Sequence, residues 1–354
     1  MFSKEISHPA NFSPIANDFV PRRFLCGGHF QTIAGNFMRR ASLLPEPEER
    51  LFQIEEDVQI MCHCHWHPDR QQRLTLMIVH GLEGSSNSRY VIGTASRAWT
   101  QGWNVVRMNI RGCGGTEHLS STLYHSGLSQ DVEKLVAEMI ATDGLQRVAL
   151  AGFSMGGNQV LRAVGQWGTQ APPQVIASAT VSPACDLALS SDRIHAAAYS
   201  LYEWWFLKSL HRSFRRKSEL WPGQYDAELL TNVHSVREFD EHITARYMGF
   251  AGADDYYDKA SSSHVLDQIA IPTLVVHSLD DPFVVMSPET QRKLTENPNI
   301  TFLLTKHGGH CAFISEPSAD GSDDGRWAER KIIEFLAQVQ SAREPHKRFA
   351  EPKQ

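Results

Sequence analysis

Gly152, Ser154 and Gly156 stand together in AGFSMGGNQ (151–159). A serine hydroxyl is a weak nucleophile. It becomes a catalyst when a base takes its proton, an acid orients the base, and hydrogen-bond donors hold the oxyanion that forms. Glycines two residues either side of the serine let a sharp strand-to-helix turn close with the hydroxyl at its apex. Acid and base candidates follow in that order. HSLDDPF (277–283) offers Asp280 and Asp281, and HGGHCAF (307–313) offers His307 and His310. The acid commonly precedes a short apolar stretch by two residues, which favours Asp281, with Phe283, Val284 and Val285 downstream. Asp280 is the rival; whichever is not the acid is expected to hydrogen-bond the turn or the next helix. His310 is preferred as base because Gly308 and Gly309 free its loop to turn inward, and His307 reads as a structural or surface residue. The loop HGLEGSSNSRY (80–90) follows an apolar run and supplies a backbone donor. Leu82 N–H is the candidate, paired with Met155 N–H just past the nucleophile. His80 is read as shaping that loop.

A second set of reactive residue types is Cys62, His63, Cys64, His65 and His67 in MCHCHWH. Strand alternation puts Cys62, Cys64 and Trp66 on one face and the three histidines on the other. Histidines in line could bind a metal, so a metal-dependent hydrolase is a rival reading. The segment precedes the core strand, at the antiparallel edge of a sheet and away from Ser154, and serine chemistry needs no metal. The expectation is cysteines packed inward as small apolar groups, histidines facing outward, and no metal or other cofactor.

These residues need strands to position them. LTLMIVHG (74–81), NVVRMNIRG (104–112), RVALAGFS (147–154), VIASATVSP (175–183), PTLVVHSLDD (272–281) and ITFLLT (300–305) are apolar runs of the kind buried parallel strands show. LFQIEEDVQIMCHCHW predicts a hairpin or meander. Helical periodicity appears in SQDVEKLVAEMIATDG, with Gly144 past its end, in WAERKIIEFLAQVQ, and in the short FQTIAGNFMRR. Strands alternating with helices predict an α/β fold, a mostly parallel doubly wound sheet. The expected organisation is an irregular segment over 1–50, a main domain over 51–340 with a cap insertion at about 184–260, and a frayed tail over 341–354. The cap residues Tyr199, Tyr202, Trp204, Trp205 and Phe206 could line an acyl pocket or pack the cap onto the core. Arg212, Arg215, Arg216 and Lys217 form a basic knot, read as a solvated helix face or a contact for anionic headgroups.

With 354 residues, 42% of them hydrophobic, the chain can bury a sizeable core. A formal net charge of −6 argues against a general nucleic-acid binder. No signal peptide and no long apolar span are read, and the six scattered cysteines favour a reduced, cytoplasmic setting. Peripheral membrane contact stays open. Oligomeric state is not legible.

HGLEG, RGCGG, GFSMGGN, DDPF and HGGHCAF, together with Asp240, Gly249, Phe250, DYY (255–257), Ser261, Ile269 and Pro272, resemble the AB hydrolase-4 (YheT-like) family of the α/β-hydrolase fold over roughly 20–340. The resemblance implies a metal-free Ser-Asp-His esterase or lipase-like acyl hydrolase acting on carboxylic esters, acylglycerols and some phospholipids. The combined expectation is Ser154 as nucleophile, His310 as base and Asp281 as acid, acting on a small-molecule or lipid-like ester. An acyltransferase on the same triad is the alternative, and a non-catalytic binding module is a third class.

Overall fold

The computed structural model describes residues 15–38, 42–196, 200–321 and 323–343. Eight strands form one sheet: β1 (Glu48–Glu55), β2 (Val58–His65), β3 (Leu74–Val79), β4 (Asn104–Met108), β5 (Arg147–Phe153), β6 (Val175–Val181), β7 (Thr273–Ser278) and β8 (Ile300–Thr305). Their spatial order is β1-β2-β4-β3-β5-β6-β7-β8. β2 is antiparallel to both β1 and β4, and the remaining pairs are parallel.

Every residue of β3, β6 and β7 is buried, as continuous apolar runs between two helical layers require. Alternation still sorts their side chains. Leu74, Leu76 and Ile78 join one core with Ile332, Phe335 and Leu336 of the C-terminal helix α11 (Trp327–Arg343). Met77 and Val79 join the opposite core with Val132, Leu135, Val136 and Met139 of α3 (Ser129–Asp143). α3 stops at Gly144, whose left-handed φ of 66° a glycine adopts without strain.

Between β6 and β7 the chain builds α5 (Leu187–His195), α6 (Ser200–Leu220), α7 (Val236–Phe239), α8 (Arg246–Met248) and α9 (Ala253–Ala260). They enclose an apolar cluster of their own, including Phe214, Phe239, Ile243 and Tyr256. Phe283 and Val284, from the segment after β7, join it. These helices therefore lie over the ends of the parallel strands, where open α/β sheets bind ligands.

The segment expected to be irregular over 1–50 contains α1 (Gly28–Phe37), and β1 begins within it. Residues 1–14 lie outside the described residues, as does most of the expected tail, since α11 runs to Arg343. α1 sits directly on the loops after β7 and β8: a Cβ on Gly28 would lie 1.8 Å from the Asp280 carbonyl oxygen. α2 (Arg89–Thr100), α4 (Met155–Trp167) and α10 (Pro288–Glu296) complete the helical layers.

Candidate active site

Ser154 links β5 to α4 with φ 54° and ψ −120°, a strained conformation for a residue with a side chain. The glycines around it are dictated by close approach. A Cβ on Gly152 would lie 2.5 Å from the Gly156 carbonyl oxygen, and one on Gly156 would lie 2.2 Å from that of His80. Met155 is the first residue of α4, so its N–H has no acceptor within the helix. Asn158 anchors the same helix, donating to the Ser126 and Ala260 carbonyls and accepting from Ser262 N–H.

The loop after β3 lies against Ser154. A Cβ on Gly81 would be 3.0 Å from that of Ser154, and Gly81 N–H donates to Tyr90 Oη. Fully buried His80 accepts from Ile110 N–H through Nε2 and faces the Gly81 carbonyl through Nδ1. Burial pushes its pKa down to about 4, so it is a neutral ring that shapes the loop. Leu82 shares one cavity wall with Ser154 and Met155.

The two carboxylates and two histidines sort into two pairs. Asp281 Oδ2 is 2.8 Å from His310 Nδ1, and Asp281 Oδ1 accepts from Phe283 and Val284 N–H. Asp281 is buried and His310 is 11% exposed. Asp280 Oδ2 is 3.1 Å from His307 Nδ1, Asp280 Oδ1 accepts from Gly309 N–H, and His307 is exposed. Burial alone would lower the His310 pKa, but the Asp281 carboxylate overrides it and raises it to about 10. Burial would raise the Asp281 pKa, and the same pairing with His310 holds it down instead. The His310 loop meets the Ser154 turn at one carbonyl: Val181 O accepts from Ser154 N–H at 3.0 Å and from Cys311 Sγ at 3.6 Å. The His310 N–H is held from the other side by Thr32 Oγ1 of α1.

A family model for the alpha/beta hydrolase fold matches residues 75–317. The chain is 32% identical over 333 residues to YheT of Escherichia coli (strain K12), covering 92% of this chain and 95% of that one. It belongs to the α/β-hydrolase fold family, in its YheT-like branch. It is also 28% identical over 247 residues to human phospholipase ABHD3, spanning 70% of this chain and 60% of the relative's length. An esterase of Pyrococcus furiosus superposes with a TM-score of 0.55 at 15% identity, over 85% of this chain and 99% of that one, a likeness of fold.

In this α/β-hydrolase Ser154 opens into a cavity beneath the helices between β6 and β7, lined mainly by apolar side chains such as Leu123, Leu187, Ile194, Phe206, Leu210 and Phe214. Phe283 lines it too and packs on the His310 ring, with centroids 4.1 Å apart. Among the aromatic candidates, Phe206 lines the cavity and Tyr202 packs on Phe283. Trp204 and Trp205 do not line it; they are 54% and 60% exposed, on the opposite face of α6. Tyr199 lies outside the described residues. The basic knot is also divided. Lys217 is buried, held by the Glu117 and Ser120 carbonyls, and burial lowers its pKa to about 8.

The histidine strand corrects another expectation. His63 and His65 are buried, because the loop after β3 and α2 cover that face. Each is engaged separately: His63 with Ser86 Oγ, His65 with Arg107 Nε, and His67 stacked on Trp99. A guanidinium amid these rings disfavours a cation there. Among the described residues no group of three or more His, Cys, Asp or Glu side chains has a metal-holding arrangement.

Two cavity residues escaped the sequence reading. Glu83, at φ 52°, accepts from Tyr124 Oη and from Ser213 Oγ of α6, tying the loop that carries Leu82 to the insertion. Burial raises its pKa. His125 lines the wall, edge-on to Phe250 and Tyr256, and burial lowers its pKa to about 3. The only available signal was the position of Glu83 next to Leu82.

Proposed function

We propose that Ser154, His310 and Asp281 form the catalytic triad of a serine esterase, with the acyl chain of its substrate lying in the cavity beneath a cap formed by about residues 184–260. Ester hydrolysis as a class of reaction follows from the family. The triad and the substrate are the finer reading. The observation that carries it is the Asp281–His310 pair near the strained turn of Ser154, which lines an apolar cavity.

His310 takes the Ser154 proton as Oγ attacks the ester carbonyl carbon. Asp281 fixes the ring and stabilises its charged form. The oxyanion is held by Met155 and Leu82 N–H, the first on the positive end of the α4 dipole. Collapse expels the alcohol, which receives the proton from His310. Water then attacks the acyl-enzyme with His310 again as base, and the carboxylic acid leaves.

Short- to medium-chain acyl esters and lipid-like acylglycerols suit a cavity whose wall is mostly apolar. The human relative carries the name of a phospholipase, which is consistent with a lipid-like ester. We place the reaction in the cytoplasm, in keeping with the scattered cysteines. Hydrolysis of p-nitrophenyl esters from acetate to palmitate tests the reading. Activity should peak at a chain length above acetate and vanish in Ser154→Ala. Persistence in that variant would refute the triad.

A further inference from the structure

We propose that the outer face of α6, with the outer face of α1 beside it, is a docking surface for an anionic lipid bilayer.

The residues of α6 that face outward form one stripe. Leu201, Trp204, Trp205, Lys208, Arg212, Arg215 and Arg216 are all exposed. At about 100° per residue they fall within an arc of roughly 120°. The stripe changes character along its length. Its first part is apolar and aromatic, with Leu201 69% exposed beside the two tryptophans. The later part carries Lys208, Arg212, Arg215 and Arg216 against Glu219, with Arg216 also paired to Glu117 at 3.5 Å. Lys208 Nζ lies over the Trp204 ring at 4.9 Å, joining the two parts. Tryptophan seats at the boundary of acyl chains and headgroups, and lysine and arginine are drawn to anionic headgroups. The opposite face of α6 is occupied by the cavity through Phe206, Leu210 and Phe214.

α1 adds an exposed apolar face. Gly28, Gln31 and Thr32 are buried against the loops after β7 and β8, while Phe30, Ile33 and Phe37 are exposed. Spacings of three and four residues put those three on one face. The helices meet where His29 stacks on Tyr202, with Nδ1 3.1 Å from its hydroxyl. Both reach the catalytic histidine. Thr32 of α1 holds the His310 N–H, and Tyr202 of α6 packs on Phe283, which packs on His310. The two helices that carry the exposed apolar side chains are therefore the ones whose other faces contact the His310 segment. Charge complementarity selects the occupant. The whole chain is anionic at −6, so a local cationic stripe is an orienting feature aimed at an anionic surface.

The test is co-sedimentation with vesicles of phosphatidylcholine alone or mixed with phosphatidylglycerol. It compares wild type, Lys208→Glu/Arg215→Glu and Trp204→Ser/Trp205→Ser, each checked by p-nitrophenyl acetate hydrolysis. Wild type should bind the mixed vesicles and bind phosphatidylcholine weakly, with binding falling as salt rises. Charge reversal should weaken binding to mixed vesicles by roughly tenfold or more. The tryptophan variant should also lose binding, along with the blue shift of tryptophan emission that vesicles induce. Hydrolysis of the water-soluble ester should match wild type in both variants, which shows them folded. Three results would overturn the proposal: no vesicle binding by wild type, equal binding to both compositions, or binding untouched by either variant. A concentration-dependent dimer abolished by Trp204→Ser/Trp205→Ser would assign the stripe to a second copy of the chain instead.

Discussion

His310 Nδ1 lies 2.8 Å from Asp281 Oδ2, and the other Asp281 oxygen is held by two backbone N–H groups. The neighbouring Asp280 holds the Gly309 N–H and faces exposed His307. Adjacent carboxylates with such different partners predict different losses. Asp281→Asn should lower kcat by about ten-thousand-fold, because an amide no longer holds the required tautomer or stabilises the imidazolium. Asp280→Asn keeps an oxygen for the Gly309 N–H and should lose less than tenfold. Steady-state kinetics of the two variants check this, and a reversed ranking would reassign the acid.

The pH profile follows from the same pair. In the proposed triad His310 acts as base only when neutral, and the Asp281 carboxylate raises its pKa despite burial. The rising limb of kcat/KM for the free enzyme should therefore lie above pH 6.5, with activity increasing as His310 loses its proton. In Asp281→Asn the raising influence is gone and burial remains. The residual activity should then have its limb shifted to lower pH.

Chain-length preference should be set by the cavity wall. Leu210 lies on the inner face of α6, beside Phe206 and Phe214. Leu210→Trp adds a large ring there. Hydrolysis of long-chain p-nitrophenyl esters should fall by roughly tenfold or more, while acetate hydrolysis changes little. A uniform loss across all chain lengths would mean that the acyl chain lies elsewhere.

Chelation should have no effect. His63, His65 and His67 are each occupied by a different protein partner, with Arg107 among them. EDTA should leave ester hydrolysis unchanged. His65→Ala should act on stability, because it leaves Arg107 Nε without that acceptor inside the fold, at a cost of about 1–3 kcal/mol. Thermal unfolding measures that cost.

The sheet was legible because buried parallel strands read as continuous apolar runs, and all eight strands fall where those runs and the hairpin pattern lie. The glycines at 152 and 156 were legible for a local reason, the contacts across one tight turn. What the sequence hid came from contacts between distant segments. His63 and His65 alternate as an outward face would, yet the loop after β3 and α2 cover them. The aromatic run on α6 did not reveal its helical phase. One step along it separates exposed Trp205 from the cavity residue Phe206. Lys217 reads as part of a solvated cluster, but its position on the same helix buries it against the Glu117 and Ser120 carbonyls. Glu83 and His125 carry no local signature, because only the insertion closing over them makes them cavity wall.

The most direct measurement of the central claim is intact-protein mass spectrometry during turnover of a p-nitrophenyl ester, comparing wild type with Ser154→Ala. Wild type should gain the mass of one acyl group, with fragmentation placing it on Ser154, and release p-nitrophenol in a burst. Ser154→Ala should show neither adduct nor burst, and its hydrolysis should be at least about a thousandfold slower. An acyl adduct on another residue, or hydrolysis at the wild-type rate by Ser154→Ala, would contradict the account.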